Sequence, residues 1–170
     1  MKALGAMIVT QPGFLPRMNR SVHAAFGARA NQYYPGRSAI DAGVAYVGSS
    51  DAPTGILSPW VGMAEAVDRA QRHGSPIAAQ EAITNREALA SYTFGGAYAM
   101  RHETFRGCLG VGMAADMIVV DRDPTECSAA DLSETKVLMT ISRGEVVYDA
   151  SSPISAPWAF RHRGDGCEHY

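Results

Sequence analysis

Residues 44–47 read Val-Ala-Tyr-Val, an apolar run with no polar position in it. A strand with one wet face alternates apolar and polar side chains. An unbroken run needs cover on both faces, as the strands of parallel sheets have. The run stops in Gly48-Ser49-Ser50-Asp51-Ala52-Pro53, a tight polar loop of turn-forming residues. The surrounding sequence alternates strand and helix. Residues 6–10 form a short apolar strand ended by Gln11-Pro12-Gly13, and residues 20–31 are Ala-rich and mildly amphipathic, which predicts a helix. Tyr34-Pro35-Gly36 punctuates, residues 38–42 make one helical turn, and Gly43 stands where a helix stops. Further on, Ser58 is placed as an N-cap and Pro59 as the first helical residue. Met63, Ala66, Val67 and Ala70 give that helix its apolar stripe, and Gly74 closes it. Thr84-Asn85-Arg86-Glu87 has the spacing of a capping box ahead of a helix carrying Ala88, Leu89, Tyr92 and Ala99.

The character changes after about Glu103. Gly107, Gly110 and Gly112 cut the chain into short pieces, and residues 116–121 read as a buried strand. Residues 136–142 and 145–148 are two more strands, joined by Arg143-Gly144 as a two-residue hairpin turn. Residues 104–150 are therefore expected to form a small β unit, and residues 151–170, which lack periodicity, a disordered tail. The order is β-α-β-α-α and then β alone, the end of a parallel α/β domain followed by a small sheet. Two α/β units cannot close a barrel by themselves, so more chain is expected before residue 1.

Composition narrows the function. With 46% hydrophobic and 19% charged residues, the chain belongs with globular proteins rather than disordered ones. A formal net charge of -2 and no basic stripe argue against a nucleic-acid partner. The apolar runs are strand-sized, far short of the ~20 residues of a membrane span, and the N-terminus lacks the form of a signal peptide. Cys108, Cys127 and Cys167 are widely spaced and odd in number, which suits a reduced, cytoplasmic protein.

Taken together, these pieces resemble the C-terminal part of amidohydrolase family 3, a branch of the metal-dependent amidohydrolase superfamily. The matching series runs from Val9-Thr10-Gln11-Pro12 through Asp41-Ala42-Gly43-Val44 into residues 48–53. It continues with Ser58-Pro59-Trp60-Val61-Gly62, Ala66-Val67-Asp68-Arg69, Glu81-Ala82-Ile83-Thr84, Glu87-Ala88-Leu89, Tyr92-Thr93 and Ala97-Tyr98-Ala99. Gly107-Cys108-Leu109, residues 112–121, residues 137–141 and residues 144–148 complete it. The resemblance implies an α/β fold: residues 1–103 as the C-terminal segment of a (β/α)8 TIM-type barrel, with residues 44–47 its last strand, and residues 104–150 as the C-terminal part of a small β-sandwich domain. It implies a hydrolase of carbon–nitrogen bonds other than peptide bonds, a small amide-type substrate, and one or two divalent metals, usually zinc.

The resemblance also carries over to residues. Asp51 would be both catalytic and a metal ligand, at the C-terminal end of a barrel strand where such enzymes keep their sites. A carboxylate beside a metal-activated water can take its proton and later hand it to the leaving nitrogen. Read without the resemblance, Ser-Ser-Asp-Ala-Pro is a good turn sequence. Gln11, at the end of the preceding strand, would point to the same mouth and touch substrate, or serve as a hydrogen-bonded loop residue. A catalytic zinc needs about three protein ligands. His23, His73, His102, His162 and His169 form no H-x-H or other close pair, and the only lysines are Lys2 and Lys136. The expectation is thus an enzyme portion with no tightly bound metal and no activity by itself, partnered by an N-terminal portion or a second copy. The alternatives are a non-enzymatic binding module or complementing fragment, and a deaminase-type branch of the same superfamily.

Overall fold

The computed structural model of the protein describes residues 1–74 and 76–152. Strand β1 (Met7–Thr10) pairs in parallel with β2 (Ala45–Gly48), with Met7 opposite Ala45 and Thr10 opposite Gly48. The expected strands are present within a residue of their predicted bounds. Covering them are Trp60, Met63, Ala64 and Ala66 of helix α3 (Pro59–Asp68), together with Ile83 and Ala88, in one core with Val44 and Tyr46.

The crossover from β1 to β2 carries helix α1 (Leu15–Phe26), a 3-10 stretch over Gly27–Gln32, and the short α2 (Gly36–Asp41). Helix α1 starts five residues before its predicted start. A 3-10 turn at Pro12–Phe14 runs straight into it, and Pro16 lies in its first turn, where a missing N–H leaves no bond unmade. It stops at Gly27, whose φ is 51°, rather than running on to residue 31.

Helix α3 also ends early, at Asp68 and not at Gly74. Arg69 turns into the left-handed region (φ 56°), and its fully buried guanidinium donates to three carbonyl oxygens: Ile77 at 3.0 Å, Tyr34 at 3.1 Å and Tyr33 at 2.7 Å. A buried guanidinium needs such partners, and meeting them takes precedence over two more helical turns. Ser58 is the N-cap residue of α3, but its side chain makes no capping bond; Pro59 holds the first position as expected. The capping box at Thr84 forms in full: Thr84 Oγ1 accepts from Glu87 N, and a Glu87 carboxylate oxygen accepts from Thr84 N. It starts α4 (Asn85–Tyr92), which breaks at Thr93 before α5 (Phe94–Ala99).

The last segment is a three-stranded antiparallel sheet, β3 (Met117–Val120), β4 (Val137–Ser142) and β5 (Glu145–Asp149), with β4 in the middle. Arg143 and Gly144 both have positive φ, 51° and 83°, the geometry of a type I′ hairpin turn. Arg is a poor residue there, and Asp116 offsets the strain by accepting from Arg143 N at 2.9 Å. Two expectations are corrected. The segment is not β alone: helix α6 (Ala129–Ser133), capped by Ser128 Oγ on Asp131 N, buries Leu132 in the core. Strand β3 is not buried either, since Ile118 and Val119 are 47% and 45% exposed. Only the Val120–Val137 end of the sheet packs against the core.

Among the described residues no helix is long and apolar enough to cross a membrane. The expectation for residues 151–170 lies, beyond Ser152, outside the described residues.

Two measurements check this account. Arg69→Met leaves three carbonyls without their donor and is expected to cost about 3 kcal/mol in urea unfolding; a loss below ~0.5 kcal/mol would put Arg69 among ordinary surface positions. The Arg122 guanidinium and the Lys136 amide hold the Asp121 carboxyl down to about 2. Its folded pKa is depressed. Its contribution is therefore fully present above the unfolded value of about 4 and is lost as pH falls through about 2. A carboxyl NMR titration of Asp121 with its midpoint near 4 would contradict this.

Candidate active site

In-register parallel pairing makes β1 and β2 end side by side, so the residues after each emerge at the same edge. Gln11 follows β1, and Ser49, Ser50 and Asp51 follow β2. Ser49 is the knot between them. Its N–H donates to Thr10 O at 2.8 Å and its hydroxyl to the same oxygen at 3.3 Å, while Gln11 Nε2 donates to the Ser49 hydroxyl at 3.0 Å. The structure therefore brings Gln11 and the Asp51 loop together, with the Gln11 amide nitrogen engaged in bracing that loop.

Beyond Ser49 the chain folds tightly. Ala52 N donates to Ser50 Oγ at 3.2 Å, and Gly55 N to Asp51 O at 3.0 Å. A Cβ on Gly55 would lie 1.9 Å from Ser50 O, so only glycine fits under this turn. Asp51 has a φ of 53°, a conformation that aspartate tolerates better than most residues, and its side chain is exposed. Its carboxylate accepts no hydrogen bond from any of the described residues.

Of two tyrosines that the sequence did not single out for the site, Tyr92 touches it and Tyr34 feels the charge of Asp51. Burial, chiefly, with Tyr33, Tyr46 and Asp51 adding to it, pushes the Tyr34 phenol up to about 12. It is a neutral phenol near pH 7, within the field of Asp51. Tyr92 at the end of α4 donates from its hydroxyl to Ser49 O at 3.2 Å. Burial raises its pKa well above the ordinary 10, so it too stays protonated. Tyr92 also lines a mostly apolar cleft of about 690 Å³ with Trp60, Leu89, Met100, Met117 and Ile141. Tyr34 sits in a Tyr-Pro-Gly turn and Tyr92 on a helical stripe, and neither pattern carries a functional signal.

Among the described residues there is no group of three or more His, Cys, Asp or Glu side chains that could hold a metal ion. His23 is exposed on α1. The His73 ring lies 3.0 Å from the buried Glu65 carboxylate, and His102 packs against Phe105 with ring centres 4.9 Å apart. His162, His169 and Cys167 lie outside the described residues. What the site offers is one exposed carboxylate on a hydrogen-bonded loop, a single candidate donor where a catalytic metal of the zinc type needs about three.

A profile described as "Amidohydrolase family" matches residues 1–148. Over 116 residues the chain is 39% identical to an N-substituted formamide deformylase of Arthrobacter pascens, covering 68% of this chain and 21% of that protein. Over 118 residues it is 31% identical to the amidohydrolase YtcJ of Bacillus subtilis (strain 168), covering 68% and 22%. A solved structure of a metal-dependent hydrolase from Pyrococcus horikoshii OT3 superposes with a TM-score of 0.67 at 26% identity, covering 76% of this chain and 27% of the other. The chain thus spans about a fifth of the length of the curated relatives it matches.

Proposed function

The chain belongs to the amidohydrolase family, and on that premise we propose that it is the part of a metal-dependent hydrolase that presents Asp51 to the reacting bond. The observation carrying this is the position of Asp51: just past the C-terminal end of a parallel strand, exposed, and on a loop fastened to the neighbouring strand end. Active sites in α/β sheets and barrels form at that edge. Residues 1–103 are read as the last strands and helices of a (β/α)8 barrel, supported by the parallel β1–β2 pair. Residues 104–150 are read as the sandwich segment, supported by the antiparallel sheet.

In this reading Asp51 takes a proton from the attacking water and delivers it to the leaving nitrogen of a non-peptide carbon–nitrogen bond. Gln11 touches substrate through its carbonyl oxygen, its amide nitrogen being held by Ser49. The family's divalent metal, for which we favour zinc, does not fit the described residues as a complete site. Asp51 is one ligand, and the others come from elsewhere in the active enzyme. The name of the 39%-identical relative favours a small N-substituted amide as substrate. Cys108 and Cys127 are free, which suits the cytoplasm.

Grafting this chain's residues in place of the matching segment of the Arthrobacter pascens deformylase tests the reading. The graft is expected to hydrolyse N-substituted formamides, and Asp51→Asn to lower its kcat about 100-fold or more. Activity within about threefold of the parent graft would remove Asp51 from the chemistry. Separately, equilibrium dialysis followed by elemental analysis of the 170-residue chain is expected to find far less than one zinc per chain. One zinc per chain together with formamide turnover would overturn the ligand count.

A further inference from the structure

The loop that carries Asp51 is held from a third direction. Tyr92 reaches from the last turn of α4 over the end of β2, where its hydroxyl donates to Ser49 O at 3.2 Å. Two glycines on two other elements make room for it. A Cβ on Gly48, the last residue of β2, would stand 2.2 Å from the Tyr92 ring. A Cβ on Gly62, in the interior of α3, would stand 2.0 Å from its hydroxyl oxygen. Neither glycine has the positive φ that would make glycine necessary for backbone reasons. Glycine inside a helix is less stable than alanine, so Gly62 is a cost the helix bears for the slot.

A core tyrosine can satisfy its hydroxyl on any nearby carbonyl. Here the acceptor is the backbone of Ser49, the residue already bonded to Thr10 and Gln11, two positions before Asp51. The Asp51 carboxylate has no hydrogen bond of its own among the described residues, so its direction is set by the backbone it grows from. We propose that Tyr92 is a positioning residue: through Ser49 O, and seated in the slot left by Gly48 and Gly62, it fixes the backbone from which Asp51 projects. The proposal rests on the reading of Asp51 as the proton-transfer group. Partial burial keeps the hydroxyl protonated, so it remains a donor over the whole working range of a hydrolase.

The test uses amide hydrogen exchange on the 170-residue chain. Tyr92→Phe keeps the ring and removes the bond, and is expected to speed exchange about 5-fold at residues 49–55 while β1 and α3 exchange as before. Gly62→Ala displaces the same hydroxyl from the other side. It is expected to produce the same loop effect alone and to add little in the Tyr92→Phe background, a non-additivity that independent packing defects would not give. Unchanged loop exchange, or acceleration spread evenly over the chain, would overturn the proposal. In the grafted hydrolase Tyr92→Phe is expected to lower kcat about 5-fold with KM within twofold. An inactive Asp51→Asn graft beside a Tyr92→Phe graft at full kcat counts against Tyr92. An active Asp51→Asn graft counts against the Asp51 reading itself, whatever the loop does.

Discussion

A parallel pair of strands can exist only if the chain between them crosses over and is held down, and that constraint governs this structure. The crossover from β1 to β2 spans residues 11–44, with a 3-10 stretch in the middle and an apolar cluster (Leu15, Val22, Ala30) that it shares with Ala70, Ile77 and Ala78. Two buried ionisable residues from beyond β2 fasten it. Arg69 donates to the carbonyls of Tyr33 and Tyr34, and Glu81 accepts from both the backbone N–H and the hydroxyl of Ser38 at the start of α2. Removing either charge from water is costly, and burial does depress the Arg69 pKa. The arrangement is tolerable because each charged group meets backbone dipoles that would otherwise be unsatisfied. The register that brings Thr10 opposite Gly48 depends on this fastening, and the site depends on the register.

Local sequence rules worked where the physics is local. The Thr84 capping box, the Gly43 stop, the Arg143-Gly144 hairpin and the extent of strands β1 and β2 are each set by a few neighbouring residues, and all are found within a residue or two. They failed where a distant partner decides. Met63, Ala66, Val67 and Ala70 lie on one stripe, but the helix under them stops at Asp68 because Arg69 is drawn to carbonyls about 35 residues away in sequence. Helix α6 escaped notice because its five residues carry a single core side chain, Leu132, although Ser128 and Asp131 already have capping spacing. Residues 117–120 look like a buried strand from composition alone. Apolarity says what a segment would gain by being covered, and here the chain covers only one end of it.

The candidate site divides along the same line. That the loop after residue 47 is a strand-end loop was readable from one apolar run meeting a cluster of turn residues. The reading of Asp51 as more than a turn residue rests on the family resemblance, since Ser-Ser-Asp-Ala-Pro satisfies ordinary turn chemistry equally well. Gln11 could be placed at the same mouth, but its bond to Ser49 required the register of the strands. Tyr92 could not be found at all. Its evidence is held in Gly48 and Gly62, residues that signal only by lacking side chains, and the sequence offers 17 glycines with many other reasons to be there.

An exposed carboxylate is a poor catalytic group if its backbone wanders, because a misplacement of about 1 Å can cost a hundredfold in rate. The usual remedy is to lock the side chain with hydrogen bonds, but every donor that fixes a carboxylate also occupies a lone pair and lowers its basicity. Here the restraints fall one or two residues upstream instead. Ser49 is tied by its amide, its hydroxyl and its carbonyl to β1, Gln11 and α4, and Gly55 closes the turn onto the Asp51 carbonyl. The loop is thereby stiffened through its main chain, and both oxygens of Asp51 are left open to whatever they meet. Under the role proposed for Asp51, that division, rigid backbone and unencumbered acid, suits a group that accepts a proton and then gives it back.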